Sequence, residues 1–136
     1  MTAKPEIPTL TFATVKAWEK WLGSNHAKSA GVWIKIARGD ATAKSVTYPQ
    51  ALDIALRYGW IDGLAKSLDE THWLRKFTPR AQRSLWSEKN RTRALELIAE
   101  GEMKPAGLRE VERAKAVPSY EAETLQKQIG LLGIRI

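Results

Sequence analysis

The 136-residue chain contains no cysteine, which excludes disulfide frameworks, thiolate metal sites and cysteine nucleophiles together. Its two histidines, His26 and His72, leave too few imidazoles for a transition-metal cage. No apolar run of about 18 residues occurs, so no membrane-spanning helix is expected. Residues 1–8 carry Lys4, Glu6 and two prolines in place of an apolar core with a small-residue cleavage site. A secretory signal is therefore not expected, and the cytoplasm is the expected compartment. Low-complexity tracts and solenoid-length repeats are missing as well. No serine stands in a nucleophile-elbow pattern, and no glycine-rich loop matches a phosphate-binding signature. No catalytic set can be named from the residues, and no cofactor or metal is called for.

What remains is an ordinary globular composition, 43% hydrophobic and 27% charged, at a length suited to one domain. The formal net charge is +7, which points to an anionic partner. Its distribution is uneven. Between Thr71 and Arg93, seven basic residues face the single acid Glu88, so +6 of the +7 sits there. Trp73, Phe77 and Trp86 are interleaved with those charges.

The periodicities predict a mixed order of elements. Thr9–Phe12 is a short β-favouring run. Thr14 can cap a helix whose apolar face is Val15, Trp18, Trp21 and Leu22, ending near Gly23–Asn25. Residues 31–37 alternate as a strand. Thr47, three residues before Gln50, suits a capping box, and Pro49 suits the first turn of the helix that Gly59 ends. Trp60–Leu68 reads as a strand with a turn or bulge at Asp62–Gly63, and His72–Phe77 as its return partner, ended by Thr78–Pro79. Ser87 caps a helix reaching about Glu100, with Ala94, Leu95, Leu97 and Ile98 inward. Pro105 opens a last helix through about Lys115, with Leu108, Val111 and Ala114 inward. Trp18, Trp21, Trp33 and Trp60 all fall on predicted apolar faces. These elements predict an α+β domain over residues 1–117, a small mainly antiparallel sheet of three or four strands covered by about four helices. Residues 118–136 are set apart as a C-terminal tail.

The residues that point to chemistry lie in the basic stretch. Arg80 and Arg83 fall between a strand and a helix, and Lys89, Asn90 and Arg91 occupy the first turn of that helix. A helix start attracts anions and repels cations, so a first turn rich in Lys and Arg suits an arriving anion. Arginine can grip carboxylate or phosphate with two donors and stack on Trp86. Arg80, Arg83, Trp86, Asn90 and Arg91 thus form a candidate anion pocket, with Asp62 as an orienting carboxylate. The competing readings are a solvated basic face paired to Asp62, Asp69 or Glu70, and a nucleic-acid surface using the whole Thr71–Arg93 stretch. A protein-interaction adaptor with charges serving solubility is a third. Oligomeric state is left open.

A series of motifs carries a family resemblance. Gly31-Val32-Trp33-Ile34-Lys35-Ile36 precedes Ser45-Val46-Thr47-Tyr48 and Ala51-Leu52. Tyr58-Gly59-Trp60-Ile61-Asp62-Gly63, Arg75-Lys76-Phe77-Thr78-Pro79-Arg80 and Arg83-Ser84-Leu85-Trp86-Ser87 follow. Asn90-Arg91 and Met103-Lys104-Pro105-Ala106-Gly107-Leu108 close the series. In order and spacing, roughly from Leu10 to Lys115, the chain resembles the YdeI/OmpD-associated family of small bacterial proteins, also labelled bacteriocin-protection proteins. The resemblance implies tolerance of bacteriocins or antimicrobial peptides and association with an outer-membrane porin, but brings no reaction, cofactor or catalytic set.

Overall fold

A computed structural model describes residues 7–39, 44–80 and 86–116. The chain forms two compact units, Met1–Ala55 with Trp60–Pro79, and Leu56–Gly59 with Arg80–Ile136. The described residues hold four helices and a four-stranded, mostly antiparallel open sheet, an α+β fold. No helix among them is long and apolar enough to cross a membrane. Arg83 and the 118–136 tail lie outside the described residues.

In the first unit the strands are β1 (Thr9–Leu10), β2 (Val32–Ala37), β3 (Trp60–Ser67) and β4 (His72–Pro79), in the order β1-β2-β4-β3. β1 runs parallel to β2, and the other pairings are antiparallel. Strict alternation along β2 buries Val32, Ile34 and Ile36 and turns Trp33, Lys35 and Ala37 the other way. This corrects the assignment of Trp33 to the core, because an odd position in a strand cannot share a face with the even ones. Directly opposed residues point to the same side, so Phe77, Arg75 and Trp73 join the inner face opposite Val32, Ile34 and Ile36.

Helix α1 (Val15–Asn25) starts where Thr14 Oγ1 accepts the Ala17 amide at 3.1 Å. Its Trp18 and Leu22, four residues apart, are fully buried. The Trp18 ring lies 5.2 Å from Phe12 and 5.7 Å from Phe77, and Trp21 meets Trp60 edge-on at 6.0 Å. Each such ring pair adds roughly 0.5–1.5 kcal/mol beyond its buried area. The two most buried indoles still use their N–H groups, Trp18 donating to the Ala51 carbonyl at 3.0 Å and Trp60 to that of His26 at 3.2 Å. A buried N–H without an acceptor would cost about 1–3 kcal/mol. Helix α2 (Tyr48–Arg57) opens with the expected reciprocal capping box. The Thr47 amide donates to Gln50 Oε1 at 3.0 Å, and the Gln50 amide to Thr47 Oγ1 at 3.3 Å.

β3 carries one extra residue. Asp62 pairs with Phe77, and the next register pair is Ala65 with Arg75, so three steps on β3 match two on β4. This bulge falls at Gly63–Leu64 and leaves Leu64 67% exposed. β4 runs on through Pro79, past the expected stop at Thr78. A proline excludes a preceding helical residue, but its φ suits the end of a strand. Across the hairpin turn, Asp69 Oδ1 accepts from the amides of Thr71 and His72 and from the Thr71 hydroxyl. Those bonds hold the Asp69 carboxyl below its usual range, the Thr71 amide foremost.

The second unit contains the last turn of α2 with helices α3 (Glu88–Ala99) and α4 (Pro105–Ala116). Ser87 Oγ caps α3 by accepting the Asn90 amide at 3.1 Å, and Gly101, at φ 73°, ends it. Ala94, Leu95 and Leu97 are buried as expected. In α4 the expectation fails at Leu108, which is 39% exposed. Gly107 turns inward in its place, because a Cβ there would collide with Met103 and the Arg57 carbonyl. Close backbone approach at Gly107, together with the buried Val111 one turn on, sets the inward face of this helix.

Candidate functional site

Two arginine-centred clusters emerge, one in each unit. In the first unit, Asp62 Oδ2 accepts from Arg75 Nη2 at 2.7 Å and from the Tyr48 hydroxyl. Asp62 is placed by β3 parity beside Phe77, and Arg75 by β4 parity between Phe77 and Trp73. Tyr48 comes from the first turn of α2. The Arg75 guanidinium lies 4.5 Å from the Tyr48 ring centre, and Trp73 meets the same ring edge-on at 5.9 Å. Burial, then the bond to Asp62, pushes the Tyr48 hydroxyl above the usual tyrosine range. Asp62 is thus an orienting carboxylate for Arg75 in the first unit.

In the second unit, the guanidinium of Arg80 lies 3.9 Å from the centre of the Trp86 ring, a cation–π contact. Arg80 and Trp86 are both 6% exposed. The Arg80 amide donates to the Gly59 carbonyl at 3.1 Å. Arg91, on the first turn of α3, is 5% exposed and donates through Nη1 to the Trp86 carbonyl at 2.8 Å. Its buried Nε has no hydrogen-bond partner, and among the described residues no carboxylate pairs with it. Asn90, 9% exposed, lies beside it on the same first turn.

Trp86 thus links Arg80, stacked on its ring, with Arg91, bonded to its carbonyl, and Asn90 stands next to Arg91 at the start of α3. Arg83 lies outside the described residues, and Asp62 belongs to the other cluster. Sequence reasoning missed Tyr48 and Arg75 as partners of Asp62. The signal for Arg75 was present, since on a strand it shares parity with the buried Phe77. No comparable signal marks Tyr48, whose place depends on how α2 packs on the sheet.

None of the described arginines of the basic stretch is exposed, whereas Lys89 is. Arg75 is taken up by Asp62. Arg93 pairs with Glu96 at 3.4 Å and Glu100 at 3.3 Å, while Arg80 and Arg91 are buried. A family model described as a domain of unknown function, DUF8412, matches residues 10–110. The chain belongs to the DUF8412 family. The DUF8412 match spans both clusters, from Tyr48 through Arg91, and stops before the end of α4. No curated protein and no solved structure matches the DUF8412 chain.

Proposed function

We propose that the second unit binds a small anion, a phosphoryl or carboxylate group, through Arg80, Trp86, Asn90 and Arg91 at the start of α3, with Arg83 contributing. One observation carries this reading: Arg91 is almost wholly buried, and among the described residues no carboxylate pairs with it and its Nε–H has no acceptor. A buried charge without a partner is costly, by several kcal/mol after relaxation, and the positive end of the α3 dipole repels it further. An anion at the helix start relieves both terms and takes the free donor. Arg80 is held over Trp86 by a cation–π contact that fixes the plane of its guanidinium near the start of α3.

On this reading, the bacteriocin tolerance implied by the YdeI/OmpD resemblance follows from ligand binding in the cytoplasm. Direct capture of cationic peptides by a chain of net charge +7 is electrostatically disfavoured. The test is calorimetric titration with inorganic phosphate, pyrophosphate and citrate at constant ionic strength. Saturable binding by the native chain, lost in Arg91→Lys and Arg80→Lys variants of unchanged fold, supports the site. Equal binding in the lysine variants shows that charge alone suffices and removes the case for it.

A further inference from the structure

The sheet of the first unit has a second face, opposite its helices. Its helices lie on the inner face, where Trp18 of α1 meets Phe77 and Tyr48 of α2 meets Arg75 and Trp73. Register puts Trp33 of β2 opposite Lys76 of β4 on the outer face, and Lys35 and Lys66 both opposite Leu74 there. Two ammonium groups lie near the Trp33 ring, Lys66 Nζ 5.2 Å and Lys76 Nζ 5.8 Å from its centre. Lys66 is exposed, and Trp33, Lys35 and Lys76 are half-buried. None of the strand residues whose pairing places them on this face is acidic.

We propose that this outer face binds single-stranded nucleic acid, with a base stacking on Trp33 and Lys35, Lys66 and Lys76 meeting the flanking phosphates. An unpaired base offers a π-face that an indole can cover, whereas in a duplex the bases are already stacked on each other. Side chains two apart on a strand stand roughly 7 Å apart, so the lysines on neighbouring strands form an array around the ring, not a point charge. An acidic peptide complements the charge but gives Trp33 nothing to stack on. An anionic membrane complements the charge too, but a half-buried indole on a pleated strand offers little to insert into lipid. The proposal does not rest on the anion site of the second unit.

Fluorescence anisotropy of the full chain with a labelled 12-nucleotide oligothymidylate tests it. Matched duplex DNA and phosphatidylserine vesicles serve as competitors. The native chain is expected to bind the single strand in preference to both competitors. Neutralising the array (Lys35→Gln, Lys66→Gln and Lys76→Gln together) should lower the slope of log affinity against log salt by about 2, from about 0.7 per contact. Trp33→Ala should weaken binding roughly 5- to 150-fold, as expected for one stacked base. Arg91→Met should leave binding unchanged. No binding at low salt, an unaltered salt slope in the triple variant, or tighter binding to duplex or vesicles each overturns the proposal. Loss of binding in Arg91→Met also overturns it, by moving the contact to the second unit. The lysine changes are on the surface, so the salt slope decides the matter even where Trp33→Ala fails to fold.

Discussion

Arg75 and Arg91 both hold a guanidinium away from water, but they do so in opposite settings. Arg75 is 22% exposed in its side chain and meets Asp62, itself 14% exposed, with Tyr48 completing the carboxylate's partners. Arg91 is 5% exposed and has a backbone carbonyl as its partner, with no carboxylate pairing to it among the described residues. The first charge is neutralised within the fold, and its cluster holds β3, β4 and α2 in place. The second has no carboxylate pairing to it among the described residues, and a fold keeps such a group at a cost. That contrast separates a structural arginine from a binding one better than net charge does, since both lie in the same basic stretch.

The largest effect expected is on binding. Arg91→Met should remove about 3 kcal/mol of anion affinity, within the range for truncating a buried charge-paired contact. It should leave the unfolding free energy within about 1 kcal/mol of the native chain, because replacing an unpaired buried charge by an apolar side chain offsets the lost carbonyl contact. Calorimetry and urea melts read the two quantities separately. Asp62→Ala should do the reverse, destabilising the chain by about 2–3 kcal/mol with anion binding retained, because it strands Arg75. The double variant Asp62→Ala/Arg75→Leu should recover part of that loss in the same melts. If Asp62→Ala instead abolishes anion binding, the contrast between the two arginines breaks.

Tyr48→Phe is expected to cost about 1.5–3 kcal/mol, the range for a hydrogen bond to a charged acceptor. Its pH signature has a definite sign. The folded pKa of Tyr48 is raised, so its contribution is fully present below the ordinary tyrosine value and is lost as pH rises through the folded one. Absorbance at 295 nm should show a late tyrosine ionisation in the native chain that is smaller by one tyrosine in Tyr48→Phe. Smallest of all, Lys89→Gln should change stability by less than about 0.5 kcal/mol, because Lys89 is exposed at a helix end that does not favour it. A melt shift of more than 1 kcal/mol would show that the first turn of α3 is charged for structural reasons.

Much of the fold was legible because local rules act alone at its decisive points. Thr14, Ser87 and the Thr47/Gln50 box cap helices through bonds within three residues, and the Asp62–Gly63 pair marks a bulge through backbone preference. Trp33 was misread because hydrophobicity was allowed to outweigh parity, although Lys35 two residues on gives the outward face away. Leu108 was misread because the inward face of α4 is set by contact between Gly107 and the Arg57 carbonyl, fifty residues apart in sequence. The same limit applied to the site. Arg80, Trp86, Asn90 and Arg91 are close in sequence and could be grouped from it, whereas Tyr48 reaches Asp62 through the packing of α2, which no local pattern encodes.

The Nε–H of Arg91 is the most direct probe of the central claim, since it is a buried donor with no acceptor among the described residues. Its resonance in a 1H–15N spectrum, assigned by its disappearance in Arg91→Lys, can be followed while inorganic phosphate or citrate is added at constant ionic strength. The account predicts a saturable downfield shift of this signal, with the Nε–H of Arg75 unmoved. A signal that stays in place while those anions bind elsewhere, or one that moves together with Arg75, would contradict it.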